Sequence, residues 1–346
     1  MIGSIKLTTL ATDGSTLKHS PKKINEIISH LEESRLSWLE FVVDDVPSDA
    51  IEVAKELGID LNPTSVLAGY YSNYEDSGDV LGVSFPLIRF ASGQVDPSPI
   101  LIYVSRNNVV TIHDKSVEML LHLSSFSDVF LRKLPSQEGE WADRQSILFT
   151  RIIDEISEKN YDALRLIVEK AQTLEIELID EKMVTKDITN EMSKIKRSIL
   201  TFLTAVWAAH TTVHSLRYGD PEMLTDKPEL LSKFDIVLAD LDRQIQLAEH
   251  VLEVLSTGMN VIQTDISNRL SMIILWLSVI GTAVLVPNTL ATIFAIIPNS
   301  NELFTELMIA IIFSTIAASF VSYFAASKIM KRPMRKDDVS DNSESN

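Results

Sequence analysis

His210 and His214 stand four residues apart in HTTVH, the spacing at which two imidazoles on one helical face can share a Zn²⁺ ion. The glutamate of an H-E-x-x-H metalloprotease is missing and no third ligand lies nearby, so a pair of solvated helix histidines is the better account. His113-Asp114 closes a β-branched run, VVTIHD, without an identifiable nucleophile. No phosphate-cradling glycine loop, dinucleotide-binding glycine pattern or G-x-S-x-G occurs, and carboxylates are too many to single out a catalytic pair. With no cysteine there is no disulfide framework, thiol nucleophile or Cys-ligated zinc site. No catalytic residue and no cofactor is expected, and an enzyme is disfavoured.

The 346 residues include 48 acidic and 31 basic side chains, a net charge of −17. That balance repels nucleic acid and suits metal cations or basic partners, although solubility is the ordinary role of any single carboxylate. The N-terminal MIGSIKLTTLATDGSTLKHS lacks the apolar core of a secretion signal. Toward the other end, no charge occurs from Leu270 to Asn301, and MIILWLSVIGTAVLVPNTLATIFAII exceeds the roughly 20 residues that cross a bilayer. LMIAIIFSTIAASFVSYFAAS, Leu307 to Ser327, makes a second span. Uncharged runs of this length are poor candidates for soluble core helices. Lys328, Lys331, Arg332, Arg335 and Lys336 follow the second span, whereas the connecting PNSNELFTE carries Glu302 and Glu306 and no basic residue. The positive-inside rule then places both termini in the cytoplasm and the short loop outside. The acidic tail DDVSDNSESN is expected to be disordered.

The soluble part supplies the elements that carry these residues. LEFVVDDV is strand-like, and SDAIEVAKELGI has helical spacing with Ser48 as its N-cap. VLGVSFPLIRF and ILIYVSRNNVVTIHD read as strands, the latter turning at Asn107-Asn108. A mixed sheet flanked by helices is predicted. Beyond it the pattern is helical, with one acidic helix from about Arg144 to Leu178 and another from about Lys186 to Leu216, closed by RYGDPEM. A third helix begins near Pro228. Along it Phe234, Val237, Leu241, Ile245, Ala248, Leu252, Leu255, Met259, Ile262 and Ile266 recur in steps of three and four. The stripe fits an intramolecular bundle or stalks gathered about a common axis, and its unbroken run into a membrane span favours the second.

The whole is expected to be an α+β membrane protein. Residues 1–135 form a cytoplasmic α/β domain, 136–225 a long acidic helix pair and 226–269 a stalk helix. Residues 270–298 form the first membrane helix, 299–306 the outer loop, 307–327 the second membrane helix and 328–346 a basic, then disordered, cytoplasmic tail.

In this order and spacing the chain resembles the CorA family of magnesium channels over nearly its whole length. VVTIHD resembles the family's VTVHE strand end, and KRSILTFLTAVW, with Trp207, resembles its helix bearing Lys-Arg and then Trp. SNRL, Ser267 to Leu270, matches the segment entering the membrane, and VPNTLATIF resembles IPLTFIAGIY. The resemblance implies a homo-oligomer, a pentamer, in the plasma or inner membrane. Its first membrane helices would line a pore, with Mg²⁺ or another divalent cation as transported ion and possible regulator. Thr289 falls on a pore-lining threonine of the family, and Met272, Leu275 and Ser278 fall on its constricting positions. For Thr289 the plainer role is a back-bond to the helix backbone, and for Met272 and Leu275 it is lipid-facing packing. Asn288, beside Pro287, reads as structural.

The family's Gly-Met-Asn would fall on Ile296, Ile297 and Pro298, none of which matches. Gly258-Met259-Asn260 precedes the first span and, with Met259 in the apolar stripe, reads as ordinary stalk sequence. Asn299 and Glu302 are the nearest replacements at an outer mouth. Mg²⁺ surrenders its water reluctantly, so an amide oxygen there would grip the hydrated ion, while a turn residue after Pro298 is the equal alternative. Regulatory carboxylates on the acidic helices are implied without their identity. Three functions stay open: Mg²⁺ uptake gated by the cytoplasmic domain, transport of Zn²⁺, Co²⁺ or Ni²⁺, and a non-conducting membrane sensor or scaffold.

Overall fold

The computed structural model describes residues 2–21, 23–27, 31, 34–69, 71–118, 123–135, 140–180, 186–296 and 301–330. Contacts divide the chain into two units that meet between Met259 and Asn260. The first opens with strands β1 (Ile2–Ala11), β2 (Thr16–His19) and β3 (Ser34–Val43), then helices α1 (Val46–Leu57) and α2 (Pro63–Val66). Strands β4 (Asn73–Asp76), β5 (Val80–Ala91), β6 (Gln94–Ser105) and β7 (Asn108–Asp114) follow, then the short helices α3 (Lys115–Glu118) and α4 (Ser127–Leu131). The long helices are α5 (Trp141–Asp180), α6 (Lys186–Tyr218), α7 (Pro228–Ile296) and α8 (Asn301–Met330).

The seven strands form one mixed sheet in the order β2-β1-β3-β7-β6-β5-β4, with β3 and β7 its parallel pair. Register decides what each face carries, because side chains alternate across a strand. Glu40 lies opposite Lys6 and Thr111, and Val42 lies opposite His113. Leu39, Phe41 and Val43 therefore share the other face with Ile5, Leu7, Val110 and Ile112, where Val46, Ala50 and Val53 of α1 close an apolar core. The Glu40 face is polar at its centre and equally buried. The β1–β2 hairpin was missed in sequence, although Asp13-Gly14 between β-branched runs is its signal, and Gly14 takes the required positive φ of 83°.

Two local expectations are corrected. Helix α1 begins before Ser48: Asp45 is its N-cap, and the Asp49 carboxylate accepts from the backbone N–H groups of Asp44 and Asp45 at 3.2 and 3.1 Å. A carboxylate reaching back takes two amides at once, which leaves Ser48 to donate to Asp45 Oδ2 at 2.6 Å. The β6–β7 loop is Arg106-Asn107, since Ser105 pairs with Asn108, and Asn107 alone adopts a positive φ of 65° there.

Helix α5 lies over β5 and repairs a fault in it. Asn160, fully buried, donates to the Pro86 carbonyl at 3.0 Å and accepts from the Ile88 N–H at 2.7 Å. Asn160→Ala would strand both backbone groups away from water. We expect it to cost about 1–3 kcal/mol, read as a lower midpoint in thermal unfolding of the full chain.

The apolar stripe of α7 is also reassigned. Phe234, Val237, Leu241, Ile245, Ala248 and Leu255 are buried within a single chain. The Phe234 ring lies 6.1 Å from that of Phe149 on α5, and Gln244 donates to the Ser157 carbonyl and hydroxyl, both at 3.0 Å. This part of the stripe thus closes an intramolecular bundle and does not face other stalks. An apolar period names a face that must be covered, but not which chain covers it.

The second unit contains the rest of α7 and α8. The most apolar window of Pro228–Ile293 is wholly unburied in the chain, whereas Ile188–Tyr218, apolar enough by the same measure, is half buried and serves as a core helix. In α8 the apolar run is Met308–Phe324. Half-buried positions fall on one face of α7 (Leu275, Val279, Ala283, Pro287, Leu290) and on a small-residue face of α8 that includes Ser314, Ala318 and Ser322. The remaining positions of these stretches are exposed and most of them are apolar.

Candidate pore-lining face

At 100° per residue, Thr264, Ser271, Ser278, Thr282 and Thr289 fall within about 20° of one line along α7. All five are exposed in the chain, on a helix whose other exposed positions in this stretch are mostly apolar. Thr289 and Ser278, singled out in sequence, are therefore brought onto one face. Thr264, Ser271 and Thr282 were missed, although their separations of seven and eleven residues were the available signal.

The three threonines share one geometry. Thr264 donates its hydroxyl hydrogen to the Asn260 carbonyl, Thr282 to that of Ser278 and Thr289 to that of Leu285, each at 2.8 Å. With its hydrogen held by the helix, such an oxygen offers only acceptor lone pairs outward. Water around a cation points its hydrogens outward and needs acceptors of this kind. The back-bond and an ion-facing role are thus compatible in Thr289.

The other sequence candidates are placed less closely. Leu275 lies about 40° from Thr289 around the helix and is half-buried on the face shared with Val279, while Met272 lies about 100° away and is 41% exposed. Ile296 is the last residue of α7, and its side chain lies outside the described residues, as do Ile297, Pro298 and Asn299 entirely. Glu302 is in the first turn of α8, its side chain likewise outside them. The residues of the tail from 331 onward are outside as well. Gly258-Met259-Asn260 is continuous helix within α7.

In the first unit His210 Nε2 lies 3.2 Å from Asp242 Oδ1 on α7, and its ring stacks on that of His214 with centroids 6.4 Å apart. Arg217 reaches Asp235 on the same helix at 3.0 Å. These contacts tie α6 to α7. Among the described residues no group of three or more His, Cys, Asp or Glu is arranged to hold a metal ion.

The sequence matches the family model described as CorA-like Mg2+ transporter protein over residues 33–326. No curated protein matches the chain. Among solved structures, the complete CorA magnesium transporter from Methanocaldococcus jannaschii is similar with a TM-score of 0.72 at 15% identity, over 94% of this chain and 98% of that one. The full-length CmaX protein is similar with a TM-score of 0.59 at 14% identity, over 95% and 98%. The ZntB cytoplasmic domain from Vibrio parahaemolyticus gives 0.56 at 11% identity, over 78% and 100%. At such identities the structures speak for the fold, an α/β sheet domain followed by long helices and two apolar C-terminal helices. The family match takes in most of the sheet, the long helices and both apolar segments, and on that span the chain belongs to the CorA-like Mg2+ transporter family, a family of transporters and not of enzymes.

Proposed function

We propose that the chain forms a homo-oligomeric, pentameric channel in the plasma or inner membrane, with both termini cytoplasmic, through which Mg²⁺ enters down the electrical gradient. The observation that carries this reading is the exposed hydroxyl line from Thr264 to Thr289, of which Ser271, Ser278, Thr282 and Thr289 lie within the uncharged run of the helix. Turned to lipid, those acceptor oxygens would find no donor. At an axis where copies meet, each becomes a ring of acceptors around water. Mg²⁺ keeps its inner water, so a row of neutral acceptors passes the hydrated ion without stripping it. A membrane potential supplies about 2.3 kcal/mol per elementary charge for each 100 mV.

Gating by the cytoplasmic domain belongs to the same proposal. A regulatory Mg²⁺ would sit between carboxylates of adjacent copies, where one or two acidic side chains from each copy and retained water suffice to hold it. The test is Mg²⁺ entry into liposomes containing the purified protein under an inside-negative potential. Absence of any divalent flux would overturn the reading in favour of a non-conducting scaffold. The second reading, a carrier of Zn²⁺, Co²⁺ or Ni²⁺, draws on the isoleucine at position 296, where the family pattern has glycine. Competition by each ion against Mg²⁺ entry separates the two, with Mg²⁺ expected to be preferred.

A further inference from the structure

The tripeptide Gly258-Met259-Asn260 is left unused by the proposed function. On the helix its members separate. Asn260 falls within about 20° of the line drawn by Thr264, Ser271, Ser278, Thr282 and Thr289, while Met259 lies about 100° and Gly258 about 160° around the helix from it. Asn260 is exposed, and the other two are half-buried. It is also the first residue of the second unit, the unit that holds the hydroxyls.

The Asn260 carbonyl is taken by the Thr264 hydroxyl at 2.8 Å, but among the described residues its side-chain amide has no hydrogen-bond partner. The amide oxygen carries two lone pairs and, unlike a carboxylate, no net charge. Thr264 follows one turn later, about 6 Å along the axis and about 40° around it. Its hydroxyl hydrogen is held by the helix, so it too offers only lone pairs outward. Two neutral acceptors at adjacent levels of one face match the outward-pointing hydrogens of a cation's water shell. The uncharged run starts at Leu270, about 15 Å further along, so the pair stands before the apolar part of α7.

We propose that Asn260, with Thr264, forms a binding site for a hydrated divalent cation at the inner mouth of the channel. One amide from every copy makes a ring of neutral acceptors that holds the ion with its inner water in place. The inference rests on the homo-oligomeric channel proposed above. Mg²⁺ gives up its inner water reluctantly, and a neutral ring grips the shell loosely enough for the ion to move on, whereas a ring of carboxylates would trap it. An asparagine merely solvated at this place would leave the ion's affinity untouched.

The test uses the full-length chain in planar bilayers, with Mg²⁺ current recorded as Mg²⁺ is raised on the side of the soluble domain. Asn260→Ala is expected to raise the half-saturating Mg²⁺ concentration at least about fivefold, the change that losing one hydrogen bond produces. Asn260→Gln keeps the amide and should stay within about twofold of wild type. Asn268→Ala removes another exposed amide, about 80° around the helix, and should change nothing. The chain has no cysteine, so the geometry is checked separately in detergent. Asn260→Cys should be joined between copies by a short bifunctional maleimide, and Ile266→Cys, about 120° around, should not. Cross-linking at Asn260 with an unchanged half-saturating concentration in Asn260→Ala overturns the site and leaves the channel standing. An equal rise in Asn268→Ala, or no cross-linked Asn260→Cys, overturns it as well. A wild type that carries no divalent current overturns the channel reading and the site with it.

Discussion

On the proposed arrangement, Thr289→Trp is expected to reduce Mg²⁺ entry into liposomes by at least about tenfold, because one bulky ring from every copy at one level would close a path sized for a hydrated ion. The discriminating controls lie on the same helix. Thr289→Ser keeps the acceptor and its back-bond and should leave flux within about twofold of wild type. Thr289→Val keeps the volume and removes the acceptor, and one lost hydrogen bond of about 1 kcal/mol corresponds to a several-fold reduction. Ile280 lies about 180° around the helix from Thr289 and is 58% exposed, so Ile280→Trp should meet lipid and leave flux unchanged. Equal loss from Ile280→Trp and Thr289→Trp would remove Thr289 from the pore, whatever the chain transports.

Phe234→Ala is expected to destabilise the first unit by about 3–5 kcal/mol. Its ring is fully buried and meets Phe149 from another helix of the same chain, so truncation leaves a cavity inside the protomer. Unfolding followed by tryptophan fluorescence should show a lower midpoint that does not depend on protein concentration, while the oligomer elutes unchanged at low temperature. If Phe234 instead packed between stalks, the variant would dissociate on dilution at an unchanged protomer midpoint. The experiment therefore decides what the apolar stripe of α7 is for, independently of any flux.

Much of the architecture was legible from charge and period. The uncharged run from Leu270 to Asn301 has no place in a soluble core of this size, and the long helices between Trp141 and Ile296 carried their own start and stop signals. Strands β3, β5, β6 and β7 were marked by β-branched residues, whereas β4, Asn73-Tyr74-Glu75-Asp76, has none and was not foreseen. The hairpin before them was overlooked because Ile2–Ala11 alternates only loosely, and its Asp-Gly turn is the sole sharp sign. At the candidate site, Thr289 and Ser278 were found by resemblance, whereas their alignment with Thr264, Ser271 and Thr282 needed an unbroken helix through Pro287.

What the sequence by itself determined was the class of each segment, since hydropathy and charge are local sums that every fold must respect. The tertiary structure decided the partners. Only register puts His113 against Glu40, 73 residues away in the chain, and makes a buried pair from what reads as a strand end. Only packing turns the Phe234–Leu255 stripe inward, with Phe234 against Phe149 of α5, and only the covered face of Leu275, Val279 and Ala283 leaves Thr289 on the open side of its helix. The reason is physical: an apolar or hydroxyl stripe states that a face needs a particular surrounding, and which surface supplies it is set by contacts between residues far apart in sequence.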